Sequence, residues 1–490
     1  MGRPLVCLGA MLLAWLPLNE RLPPSAVIGK AAEPMGRFWA HQGGDHAPPV
    51  APKPARSSYS AEISQTSYVS QSEDFQPPGG LDGPVDIDTL VEYALANNPE
   101  IQAAWYHARA LGARVPQAAS LPDPRLMTTV FMDSIQTAAG PQDVVMSLSQ
   151  RFPWFGKLDL RSQAAYHDAM AAYARVTAAE LQVTERVKRA YCDLYFLQSA
   201  IAETRRLEPR LEDVIEIART RYETNAQAVG LESVLQAQIE LSKLKTRLVG
   251  LEEAKARAQA KLVGILHLPL QTPIEAEAEL AGTEVSPTVR LLVDLAVSHQ
   301  PELAATRREI CRDESVEALA CREYWPDVTL SFNWHEIGAS GLSPVATGDD
   351  AYSLGVGVNL PLYRKRLDAA VREAQNRRAS SARRHAAARD RFQAEVSALY
   401  AQFREHDRIL AILDSEIVPR AGQTLELSTE AYRTGRVGFQ QLIDTYRTLL
   451  NYRIDYHQRK AAREQAIASL ERAVGCAATV WPTVAEERTD

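Results

Sequence analysis

The side chains able to do chemistry are scattered. Beyond the leader, histidines stand at His107, His167, His267, His299, His335, His385, His406 and His457, with no pair four residues apart and no cysteine at zinc-ligand spacing. A tight metal site needs three or four such donors at one point, so none is expected. Cys192, Cys311, Cys321 and Cys476 lie beyond the leader. Cys311 and Cys321 fall ten residues apart on one expected helix, roughly 15 Å. Disulfides hold their Cα atoms within about 7 Å, so isolated thiols are expected. No glycine-rich phosphate loop runs into Lys and Ser or Thr, and no Ser-His-Asp grouping stands out. Neither an enzyme nor a cofactor is expected. Asp444 follows Gln441 by three residues on an expected helix; taken alone, it is a solvated carboxylate on a helix flank.

Composition points to a helical, non-nucleic-acid protein. The 490 residues carry a net charge of −7 and a pI of about 5.9, which excludes a nucleic-acid footprint. Lys and Arg are spread along helices, as on solvated faces. Arg3 precedes an uncharged run from Pro4 to Leu18, too short for a span of about 20 residues but suited to a signal peptide, expected over 1–26. Cys7 precedes most of that run, out of place for a lipid-modified cysteine. Residues 27–86, rich in Pro, Ser and Gly, are expected to be a disordered leader.

The rest says one thing twice. Val91-Glu92-Tyr93-Ala94 with Asn98-Pro99-Glu100 returns as Val293-Asp294-Leu295-Ala296 with Gln300-Pro301-Glu302. Pro122-Asp123 returns as Pro326-Asp327, Pro153-Trp154-Phe155-Gly156-Lys157 as Pro361-Leu362-Tyr363-Arg364-Lys365, and Gly230-Leu231 as Gly438-Phe439. A period of roughly 200 residues is too long for a solenoid and marks a duplicated half. The expected units are 87–270 and 288–475, with a linker at 271–287 and a tail at 476–490.

Each half reads as helix, two strands, a very long helix and a second helix. Asp88 is positioned to cap a first helix running to about Pro116. Val144, Met146 and Leu148 alternate with polar neighbours, as do Val328, Leu330, Phe332 and Trp334, then Tyr352, Leu354, Val356, Val358 and Leu360. Pro153 and Pro361 fall where strand gives way to helix, since proline cannot donate a ladder hydrogen bond. Lys157 to about Tyr222 contains no Gly and only Pro209. Its seam of Val176, Val183, Val187, Ala190, Leu194, Leu197 and Ile201 has coiled-coil spacing, as do Phe392, Val396, Leu399, Phe403, Leu410 and Leu413. Return helices are expected at about 231–265 and 438–474.

Strands with one apolar and one polar face fit a small soluble sandwich or a membrane barrel. Lengths of about 9–11 residues, a small and polar inner face, and aromatics at the ends favour the barrel. Four strands cannot close one; three chains supply twelve, the smallest assembly that closes and leaves a pore.

These residues resemble the TolC family of outer-membrane efflux channels over 87 to 475. Leu90-Val91-Glu92-Tyr93-Ala94-Leu95 with Asn98-Pro99-Glu100 is similar to its first helix, and Tyr432-Arg433-Thr434-Gly435-Arg436-Val437-Gly438-Phe439-Gln440-Gln441-Leu442-Ile443-Asp444 to its periplasmic helical hairpin. Phe152-Pro153-Trp154-Phe155-Gly156-Lys157-Leu158 is similar to the barrel-to-tunnel junction of the heavy-metal branch, the CusC and CzcC group. The resemblance implies an α+β membrane protein: a homotrimer whose twelve-stranded β-barrel in outer-membrane lipid continues into a periplasmic α-helical barrel. Its partners would be a periplasmic adaptor (membrane fusion protein) and an inner-membrane pump of the RND type, or an ABC transporter. Cargo would be heavy-metal cations or drugs; a channel need not bind its cargo tightly.

The resemblance also implies roles for residues. Asp444 takes a position of the family's constricting acidic ring, and Gln441 stands where a second acid can occur. Tyr432 and Arg433 would tie neighbouring hairpins together at the gate. The adaptor would dock on the tips, at Gly230, Leu231, Gly435, Val437, Gly438 and Phe439. Type I protein secretion is the alternative on the same fold, and a secreted coiled-coil scaffold the alternative of another class.

Overall fold

The computed structural model describes residues 83–223, 231–280, 282–339 and 348–482. The expected signal segment, the leader up to residue 82, Gly230 and the tail from residue 483 lie outside them. In chain order the elements are β1 (Pro84–Val85), α1 (Ile87–Asn97), α2 (Pro99–Ala119), β2 (Arg125–Thr137), β3 (Gly140–Phe152), α3 (Lys157–Glu223), α4 (Leu231–Leu266), β4 (Glu275–Ala276), α5 (Val289–His299), α6 (Pro301–Arg322), β5 (Val328–Ile337), β6 (Ala351–Val358), α7 (Arg364–Ile412), α8 (Val418–Arg433) and α9 (Phe439–Val474).

Four expectations need correction. The leader does not reach residue 86, because β1 pairs in parallel with β4 and buries Val85. The first helix is two helices, α1 and α2. Pro99 biases the preceding residue toward extended backbone, and Asn98 sits at φ −70°, ψ 121°. Asp88 lies within the first turn of α1; the cap position is Asp86, whose side chain makes no capping hydrogen bond. The last strand is shorter than its alternation suggests: β6 stops at Val358, before Leu360 and Pro361.

The break at Asn98 is built into the packing. Asn98 Oδ1 accepts hydrogen bonds from the amides of Glu100 (2.9 Å) and Ile101 (3.4 Å). Its Nδ2 donates to the carbonyl of Ile265, 3.3 Å away in the last turn of α4. Gln300 repeats the arrangement before Pro301, accepting from Glu302 N at 3.4 Å and donating to the carbonyls of Arg472 (2.9 Å) and Ala473 (3.0 Å) at the end of α9. One side chain thus serves orphan amides of one helix and orphan carbonyls of another.

Two matching cores surround these clamps. Leu90 and Ala94 pack with Val183, Val187, Leu194, Leu262 and Leu266; Leu292 and Ala296 pack with Val396, Phe403, Leu470 and Val474. A third cluster runs down the long helices through Leu207, Leu211, Val214, Leu244, Leu442, Tyr446 and Leu449. α3 has 67 residues, a rod of roughly 100 Å. It passes Pro209 without interruption, whereas its counterpart is divided by a π turn at Leu413–Ile417, just before Pro419. Among the described residues no helix is long and apolar enough to cross a membrane.

The strands form one antiparallel sheet in the order β2-β3-β5-β6. Leu126, Leu148, Phe332 and Leu354 lie opposite one another in register across it. Their face is apolar and open: Leu354 is 86% and Val356 74% exposed. The other face carries Ser147, Asn333 and Ser353 on one row and Ser149, Ser331 and Gly355 on the next. Trp334 and Tyr352 pair at one end, while Phe152, Trp154 and Trp325 gather at the other. β2 and β6 are the two unpaired edges.

Candidate functional sites at the junction and the hairpin tip

At the foot of the sheet one carboxylate gathers three donors. Lys157, the first residue of α3, is fully buried, and its Nζ lies 2.8 Å from Asp327 Oδ1. The same oxygen accepts from Trp154 N at 3.0 Å, and Oδ2 accepts from Arg151 Nε at 3.1 Å. Lys157 Nζ also donates to the Trp325 carbonyl at 3.0 Å. Trp154 and Trp325 stack above the pair, centroids 5.3 Å apart and planes 12° apart. Burial pushes the Asp327 carboxyl up, but Lys157, the Trp154 amide and Arg151 outweigh it and hold it down at about 2. Pro153 follows β3 directly and leads into this turn. The sequence motifs contained Lys157 and Asp327, but their pairing, 170 residues apart, has no local signal.

At the other end α3, α8 and α9 meet. Tyr432 is buried, its ring edge-on to Phe439 at 6.1 Å. Arg221, from the end of α3, stands over that ring at 4.9 Å and donates to the Tyr432 carbonyl at 2.6 Å. The first hairpin is thereby fastened to the second within one chain. Arg433 instead turns outward to Glu430 on its own helix, at 2.8 Å.

The turn glycines differ. Gly435 has φ +76°, and a Cβ there would meet Arg221 Nη2 at 3.1 Å. Gly438 has φ −79° as the N-cap of α9, and a Cβ there would meet open space. Only Gly435 requires glycine. Leu231 is half exposed, Val437 is partly buried against the tip cluster, and Phe439 is buried within it.

Asp444 and Gln441 lie exposed on α9, one turn apart, on a groove between α8 and α9 that Arg420, Thr424 and Tyr452 also line. Asp444 Oδ1 accepts from Gln440 Nε2 at 3.0 Å and Arg447 Nη1 at 3.2 Å. Arg447 forks on to Glu240 of α4, its Nε donating at 3.0 Å to Oε1 and its Nη2 to Oε2. The hydrogen bond from Arg447 outweighs burial and lowers the Glu240 carboxyl. Arg221, Arg447 and Glu240 have no motif around them. Only their positions beside the turns, on the helix faces toward the neighbouring hairpin, mark them.

Elsewhere, His335 lies on the polar face of the sheet, its Nδ1 3.0 Å from Gln142 Nε2. The four described cysteines are unpaired. Among the described residues no three His, Cys, Asp or Glu side chains are grouped to hold a metal ion.

The chain thus carries a four-stranded sheet with one open apolar face, standing on long helical hairpins. The chain belongs to the outer membrane efflux protein family, whose model matches residues 90–266 and 292–476, one stretch in each half. It is accordingly a protein of the outer membrane, with its helices on the periplasmic side. The chain is 20% identical to the cobalt-zinc-cadmium resistance protein CzcC of Cupriavidus metallidurans, over 80% of this chain and 90% of that one. It is 24% identical to the pyoverdine export outer membrane protein OpmQ of Pseudomonas aeruginosa, over 80% and 85%. Its fold matches the outer membrane protein VceC of Vibrio cholerae with a TM-score of 0.67 and 21% identity, over 80% of this chain and 96% of that one.

Proposed function

We propose that three copies of this chain form a passive exit duct, without enzymatic activity, for a tripartite efflux system. Twelve strands close a barrel in the outer membrane, and the helical hairpins below it form a periplasmic tunnel. An adaptor of the membrane-fusion class docks on the tips, and an inner-membrane pump, of the RND type or an ABC transporter, supplies the energy. The observation that carries this reading is the continuity of a lipid-fit, open-edged sheet with helices of roughly 100 Å. An open sheet edge is not tolerated in hydrocarbon, so the sheet must be completed by other copies.

In that assembly Asp444 and Gln441 would face the narrow end, with one Asp444 carboxylate from each chain. Like charges near one axis attract cations, and Arg447 sets how far each carboxylate is already neutralised. Cargo is proposed to be heavy-metal cations, on the similarity to CzcC and its junction motif; the similarity to OpmQ makes larger organic cargo the competing case. Electron microscopy of the detergent-extracted protein tests the assembly. A three-fold tube with a long stalk is expected, and a soluble rod or single chains would overturn the duct. Tolerance of cobalt, zinc and cadmium in cells lacking the protein tests the cargo. Sensitisation to these metals is expected, and unchanged tolerance with retained organic compounds would reverse the choice.

A further inference from the structure

A cleft of about 460 Å³ opens where α2, α3 and α6 run together near the foot of the sheet. Three guanidiniums line it, from Arg114 of α2, Arg161 of α3 and Arg312 of α6, with Leu111 and Val316 as apolar wall. The carboxylate in the lining, Asp168, accepts from Arg312 Nη1 at 3.2 Å. Arg312 is held as well by Asp313, to which its Nε donates at 2.9 Å. The other two arginines are not served in this way. Arg161 Nη2 stands 3.7 Å from Glu323 Oε1, too far for a hydrogen bond. Arg114 makes no hydrogen bond or ion pair among the described residues. Helix packing does not demand these two charges either. Setting Pro99 on Pro301 and Lys157 on Lys365 places Val316 where Arg114 stands and Ala369 where Arg161 stands. The second half therefore packs α6 on α7 without either of them.

We propose that this cleft binds a phosphate group, held by Arg114 and Arg161 with Arg312 as a fixed third donor. Forked guanidiniums match the oxygens of phosphate in pairs, and a phosphate presents more oxygens to three arginines than a carboxylate does. The apolar wall at Leu111 and Val316 suits an organic body attached to that group. The height of the cleft defines where such a group comes from. Arg161 lies four residues into α3, about 6 Å along its axis, and Arg114 five residues before the end of α2, about 8 Å. A headgroup layer is about 5–8 Å deep on each side of the hydrocarbon. With the sheet in that hydrocarbon, the phosphate of a lipid in the periplasmic leaflet reaches the cleft mouth. A soluble phosphate ester is the second source of the same chemistry. The inference is independent of the cargo and of the gate proposed above.

The test uses the full-length protein extracted in dodecyl maltoside, an uncharged detergent without phosphate. Isothermal titration calorimetry reads the binding of two probes, dihexanoylphosphatidylglycerol and glycerol 3-phosphate. Saturable binding is expected, weakened about ten-fold in Arg114→Gln and in Arg161→Gln, the size of one lost hydrogen bond to a charged group. It should be unchanged in Arg383→Gln, an exposed arginine of α7 outside the cleft. Binding of the lipid alone assigns the cleft to the leaflet, and equal binding of glycerol 3-phosphate assigns it to soluble phosphate esters. No saturable binding of either probe overturns the site. Binding that is equal in all variants overturns it too, and so does a loss at Arg383 as large as at Arg114, which marks general charge attraction. Arg114→Lys and Arg161→Lys keep the charge without the fork and carry the same test if a Gln variant does not fold: weaker binding supports the site, and undiminished binding in both overturns the forked contact.

Discussion

Asn98 and Gln300 do the same work in the two halves: each caps the helix that follows it and holds the final carbonyls of the returning helix in its own repeat. Asn98→Ala is expected to cost about 1–2 kcal/mol, combining a lost cap with a buried carbonyl left unserved. Asn98→Asp separates the two roles. It keeps the acceptor for Glu100 and Ile101 but replaces the donor to Ile265 with a negative charge at a helix C-terminus. A lower thermal midpoint for Asp than for the unaltered protein is the expected reading; equality would show that capping is the whole effect.

Lys157→Met removes the main partner of a carboxylate that is only 3% exposed. Breaking one side of such a pair costs about 3–5 kcal/mol, and the companion change Asp327→Leu should recover much of it. The Asp327 carboxyl is held at about 2 when folded, against about 3.9 when unfolded. Its contribution is therefore complete above roughly pH 4 and fades as the pH falls through 2. Midpoints measured from pH 7 to pH 2 should show a low-pH loss that the double variant lacks.

Gly435→Ala should destabilise the tip by about 1–2 kcal/mol, the cost of a left-handed backbone for an L-residue, with added crowding against Arg221. Gly438→Ser should be neutral or slightly stabilising, since it offers a better N-cap in open space. A bulky residue at Gly438 therefore probes adaptor docking without disturbing the fold. Retained assembly into the proposed trimer with lost adaptor capture would support docking there, and unchanged capture would remove Gly438 from the docking surface.

Asp444→Ala should leave stability within about 0.5 kcal/mol, because exposed ion pairs contribute little, yet raise resting conductance or relieve cation block in a planar bilayer. Arg447→Ala should strengthen cation block, since it frees Asp444 while unfastening Glu240. Unchanged currents in both variants would sink the gate assignment.

Much of this architecture is legible in the residue order, because it rests on periodicity. The alternation from Tyr352 to Val358 marks β6, and the glycine-free seam from Val176 to Ile201 marks α3. The break at Asn98 is also legible, since Pro99 disfavours a helical residue before it and Asn98 is itself a good helix cap. What periodicity does not carry is which side chain meets which across distant elements. Arg447 and Glu240, or Lys157 and Asp327, find each other only after the helices and strands are packed. The π turn at Leu413–Ile417 is similarly silent: Pro209 and Pro419 occupy comparable places, and only one of the two long helices yields.

The sheet's two open edges have a genetic consequence. In the three-chain ring proposed above, which closes only when every seam is made, a chain with a spoiled β2 or β6 edge would still offer one sound edge and enter the assembly. In cells expressing equal amounts of intact and spoiled chains, random mixing in threes leaves roughly one ring in eight wholly intact. Edge alleles should therefore be dominant, while alleles that abolish folding, and so never enter a ring, should be recessive.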